Sequence, residues 1–84
     1  MGQKDKLIQR LRQRPKDFTF DEAETLLGYL KFTRLDKGKT SGSRVMFTND
    51  EHGNILLHKP HPQKELKGYQ VKQMIEFLEQ EGLI

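Results

Sequence analysis

The spacing of apolar residues changes period twice along this chain, and those changes decide what it can fold into. Leu7, Ile8 and Leu11 recur at helical intervals between charged residues, and Pro15 ends that run because it disfavours the α conformation at Arg14. A second helical stripe follows in Ala23, Leu26, Leu27 and Leu30. Ahead of it, Thr19 and Glu22 have capping-box spacing, and Asp21 places negative charge at the positive end of the helix. Gly28 is the expected terminator. From Phe32 the period falls towards two: Phe32, Thr33 and Leu35 are β-prone. Val45 and Phe47 then alternate with Arg44, Met46 and Thr48, which leaves Arg44 on the accessible face. Asp50, Gly53 and Asn54 give residues 49–54 the composition of a turn into Ile55, Leu56, Leu57 and His58. A hairpin is expected, with the Phe32 strand as its third member. After Gly68 the helical period returns in Val71, Met74, Ile75 and Leu78, with Lys72, Gln73, Glu76 and Glu79 on the other side. The order reads α-α-β-β-β-α. This is an α+β fold with a three-stranded antiparallel sheet, helices packed on one face and the other face open.

With 84 residues, 33% of them hydrophobic and 32% charged, the chain can fill one modest core. Its stability is expected to be limited without a partner, as for a subunit of a complex. Cysteine is absent, which excludes a disulfide framework and a thiolate zinc site and points to a reducing cytoplasm. The longest apolar cluster, residues 55–57, is far short of the roughly 20 residues that cross a bilayer, and the N-terminus lacks the apolar core of a signal peptide. A cytoplasmic protein with no membrane partner is expected.

The formal net charge is only +3, but it is unevenly placed. Residues 1–18 carry Lys4, Lys6, Arg10, Arg12, Arg14 and Lys16 against Asp5 and Asp17, and read as an N-terminal basic helical extension to a domain spanning 19–84. Lys31, Arg34, Lys37, Lys39 and Arg44 form a second cluster with Asp36 as the one acid among them. Such clusters favour a polyanion, because neutralised phosphates release counterions, although a charge run by itself is more readily a solvated surface.

His52, His58 and His61 lack the carboxylate partner or helical pairing of a metal site, so no metal and no cofactor are expected. Gly38, Lys39 and Thr40 have the order that ends a phosphate-binding P-loop, but Thr33 occupies the first glycine position and a strand follows instead of a helix. Ser41 and Ser43 have no His–Asp arrangement that would make either a nucleophile. Phe32 and Phe47 fit core packing better than base stacking. Pro60 and Pro62 stop strand pairing and hold His61 in an extended loop, while His58 lies on a strand beside apolar neighbours.

The stretch Gly42, Ser43, Arg44, Val45, Met46, Phe47, then a turn, a strand, and Pro60, His61, Pro62, Gln63, Lys64, Glu65, Leu66 and Lys67 leading into Tyr69–Ile75, resembles the HicA family of bacterial toxins. The resemblance covers about residues 20–84. It implies a double-stranded-RNA-binding-like fold, a metal-independent endoribonuclease acting on messenger RNA, and neutralisation by a HicB-type antitoxin. Where that family usually carries its catalytic histidine, directly after Gly-Ser, this chain has Arg44. Arginine stays protonated and does not readily act as a base, so it suits phosphate binding, and the proton has to be taken elsewhere. His61 and His58 are the candidates for proton transfer, with Arg44 on phosphate; Lys37, Lys39, Ser43, Arg44, Lys64 and Lys67 are the candidates for RNA contact. A structural role for both histidines stands beside that reading. So does a catalytically silent RNA-binding or protein-interaction module on the same fold.

Overall fold

The computed structural model describes residues 2–35, 44–59 and 64–84. Three helices, α1 (Gln3–Arg12), α2 (Phe20–Tyr29) and α3 (Gly68–Gln80), accompany three strands, β1 (Thr33–Leu35), β2 (Arg44–Asn49) and β3 (Gly53–His58), in the expected α-α-β-β-β-α order. The strands form one antiparallel sheet in the order β1-β2-β3. The candidates Lys37, Lys39, Ser43 and His61 lie outside the described residues.

Strand alternation sorts the sheet into two faces. Val45, Phe47, Ile55 and Leu57 are buried with Ala23, Leu26 and Leu27 of α2 and with Val71, Met74, Ile75 and Leu78 of α3 in one hydrophobic cluster. Phe32 and Phe47 are core residues, 6% and 1% exposed, each against another ring: Phe20–Phe47 at 6.2 Å and Phe32–Phe77 at 6.0 Å. The opposite face carries Arg44, Met46 and Thr48 of β2 beside His58, Leu56 and Asn54 of β3. Leu35, Met46 and Leu56 are register partners across the three strands, so they form one apolar row on this face, with Leu35 and Leu56 exposed.

The basic N-terminal helix shares the same core. Leu7 and Leu11 are buried in the main cluster, and α1 packs against both α2 and α3. Two of its four cations pair within the chain: Arg10 reaches Glu22 and Asp17, and Arg12 reaches Glu79. Arg34 of the second cluster is also used internally. It is the residue of β1 in register with core residue Phe47, it pairs with Glu24 at 3.0 Å, and its guanidinium lies 5.8 Å from the Phe20 ring centre.

The helix ends follow local chemistry except at two left-handed residues, Arg14 after α1 at φ 52° and Lys31 after α2. The Thr19–Glu22 capping box is present in full, with the Glu22 amide donating to the Thr19 hydroxyl and the Thr19 amide donating to the Glu22 carboxylate. Gly28, expected to end α2, is inside it; the left-handed residue is Lys31, at φ 71°. The Lys31 amide donates to the Gly28 carbonyl and the Phe32 amide to the Leu27 carbonyl, the paired closure of a Schellman motif. That closure falls at a lysine, and the next residue, Phe32, enters the core. At the end of α3 the same closure uses Gly82, at φ 73°.

Candidate functional site

The hairpin register is fixed at its turn. The Asn49 side chain accepts the amides of Glu51 and His52 at 2.7 and 3.0 Å, while its Nδ2 donates to the carbonyls of Leu30 and Lys31 at the end of α2. Gly53, at φ 89°, turns the chain into β3 with a backbone conformation that a side chain would strain. His52 supports the turn from the other side through Nδ1, 3.0 Å from Glu81.

At the far end of the hairpin this register sets Arg44 directly opposite His58. Both stand on the face away from the helices, with Arg44 exposed and His58 half-buried. The type of pairing follows from the hydrogen bonds of His58. Its amide donates to Gln70 Oε1 at 2.7 Å and its carbonyl accepts from Gln70 Nε2 at 3.2 Å. Both backbone groups therefore point away from β2, so Arg44 and His58 form a non-hydrogen-bonded pair, the closer kind, in which Cα atoms are about 4.5 Å apart and side chains are adjacent. A guanidinium and an imidazole thus leave the sheet from adjacent backbone positions on one face.

More cations collect where α3 begins. Residues 64–66 pair with 18–20: the Phe20 amide donates to the Lys64 carbonyl, the Leu66 amide donates to the Phe18 carbonyl, and Thr19 bridges Glu65. This leaves Lys64 and Lys67 exposed, with Lys67 at the N-cap of α3 and one turn ahead of Gln70. A cleft of about 350 Å³ opens between this segment and the α1–α2 connection, lined by Arg14, Lys16 and Lys67 with Glu65 as its acid. Lys59, next to His58, sits with its ammonium 5.9 Å from the Phe20 ring centre.

The two sequence candidates brought together are therefore Arg44 and His58, while Lys64 and Lys67 hold the neighbouring entrance to α3. In the sequence Arg14 and Lys16 belong to a basic extension; their place beside Lys67 depends on α1 folding back onto the domain. Nothing in its immediate sequence marks Gln70. Its signal was its position four residues before Met74, on the buried stripe of α3, where an amide needs partners. Among the described residues no group of three histidines, cysteines or acids could hold a metal ion, and no helix is long and apolar enough to cross a membrane.

Comparison with curated proteins and with solved structures found no match. Comparison with protein families matched residues 20–83 to the HicA toxin of bacterial toxin–antitoxin systems, from the first residue of α2 through β1, β2, β3 and α3. Strand β2, which opens on Arg44 after Gly42 and Ser43, and α3, which carries Gln70, both lie inside that span, and the chain belongs to the HicA toxin family.

Proposed function

We propose that this chain is a toxin that binds messenger RNA and cuts it without a metal, and that a HicB-type antitoxin neutralises it. The observation that carries this reading is the Arg44–His58 pair on the accessible sheet face, within a chain of the HicA family. In the reaction, the imidazole of His58 takes the proton of a ribose 2′-hydroxyl. The 2′-oxygen attacks the adjacent phosphorus, and the bond to the 5′-oxygen breaks, leaving a 2′,3′-cyclic phosphate and a 5′-hydroxyl. Arg44 binds the non-bridging oxygens and offsets charge as the phosphorane forms, the task that a planar, permanently charged donor fork performs well. His61 is the candidate for returning a proton to the 5′-oxygen. Lys37, Lys39, Ser43, Lys64 and Lys67 hold the strand through its phosphates, which positions it without reading its sequence.

Arg44 favours a second reading. The family's usual base is missing from that position, and a domain that keeps RNA affinity without chemistry is a silent binding module. Expression in a bacterial host separates the two readings. Growth arrest by the natural chain, relieved by His58→Ala and Arg44→Ala and by co-expression of the antitoxin, supports the toxin; an inert natural chain that still binds RNA supports the silent module.

A further inference from the structure

Gln70 is the one fully buried polar side chain among the described residues, 2% exposed in a stripe that is otherwise Val71, Met74, Ile75 and Leu78. Burying an amide is costly unless both its ends are bonded. Here both ends are spent on a single partner, the backbone of His58, whose amide donates at 2.7 Å to Oε1 and whose carbonyl accepts at 3.2 Å from Nε2. A neighbouring strand would normally supply such a pair of bonds, but β3 is an edge strand with β2 on its other side. One side chain from α3 thus acts as a single-residue strand. It does so at the last residue of β3, where a strand end would otherwise fray, and at the residue whose imidazole faces Arg44.

We infer that Gln70 is a positioning residue, clamping the His58 backbone to α3 so that the imidazole stays beside Arg44. This rests on the reading of Arg44 and His58 as the RNA-cleaving pair. A general base acts only within hydrogen-bond reach of the proton it takes, and small misplacements cost rate more than affinity.

The test uses the full chain. Gln70→Met keeps the length and removes both bonds; Gln70→Glu restores both only when its carboxyl is protonated, because the O–H then replaces the amide N–H. With folding checked by circular dichroism, Gln70→Met is expected to lower kcat for RNA cleavage about tenfold or more with KM within about twofold. It is also expected to accelerate exchange of the His58 amide hydrogen, and to cause no further loss when added to His58→Ala. Gln70→Glu should regain activity relative to the natural chain as pH falls, which decides the matter if Gln70→Met fails to fold. An unchanged kcat in folded Gln70→Met, a loss that adds to that of His58→Ala, or no relative recovery of Gln70→Glu overturns the inference. A natural chain that cleaves no RNA overturns the reading of the site instead; hydrogen exchange at His58 then decides the clamp alone.

Discussion

Arg10 of α1 holds Glu22 of α2 with two hydrogen bonds, Nε to Oε2 at 2.7 Å and Nη2 to Oε1 at 3.2 Å, while the same carboxylate closes the capping box with Thr19. One acid thereby fastens the N-terminal helix to the start of the family-matched region. Burial by itself would raise the Glu22 pKa; the hydrogen bonds from Arg10 and Thr19, with the Arg10 charge, outweigh it and hold Glu22 below its ordinary value of 4.5. Because the folded value is the lower one, the stabilisation is fully present above the unfolded value and disappears as pH falls through the folded one. The natural chain should therefore lose stability on acidification below about pH 4.5, and Glu22→Gln should flatten that loss while costing about 1 kcal/mol at neutral pH. Thermal melts of both proteins across pH 3–7 check this.

Leu11 is completely buried between α1 and the rest of the core. Leu11→Ala is expected to cost about 2–5 kcal/mol, enough to unfold a large part of the population in a domain this small. Urea denaturation measures it. A cost below 0.5 kcal/mol would mean that α1 contributes no core.

Two exposed positions near the end of α2 should respond in a way that identifies the true terminator. Gly28 lies inside the helix with open space where a Cβ would stand, so Gly28→Ala should stabilise by about 0.5–1 kcal/mol. Lys31 occupies the left-handed conformation, so Lys31→Gly should also stabilise, raising Tm by about 2–8 °C. If Gly28 ended the helix, its alanine variant would instead lower Tm.

The elements with strong period were legible from residue order. The α3 stripe, the Thr19–Glu22 cap and the inward pair Val45 and Phe47 all stand where spacing put them, because each is fixed by contacts that repeat along one element. What escaped depends on contacts between elements. Lys31 ends α2 because Phe32 has to enter the core, and a local reading favours Gly28. Arg34 and Arg10 read as charge for a polyanion, yet Arg34 pairs with Glu24 and Arg10 with Glu22, both of α2. The Arg44–His58 pairing needed the hairpin register, which Asn49 and Gly53 set at the opposite end. The importance of Gln70 needed the position of β3 relative to α3.

Lys64 and Lys67 stand exposed around the entrance to α3. If they contact RNA phosphates, Lys64→Gln and Lys67→Gln should each weaken binding of single-stranded RNA regardless of sequence, and each should flatten the slope of log affinity against log salt by about 0.7. Fluorescence anisotropy over a salt series reads the slope. Slopes equal to that of the natural chain would remove both lysines from the interface.

The most direct test is cleavage of a defined RNA by the purified chain in the presence of a chelator, with the products' ends identified by mass. Proton transfer by His58 predicts 2′,3′-cyclic phosphate and 5′-hydroxyl ends, and a fall in kcat of about 100-fold or more for His58→Ala with the fold intact. Cleavage by His58→Ala at the rate of the natural chain would contradict it.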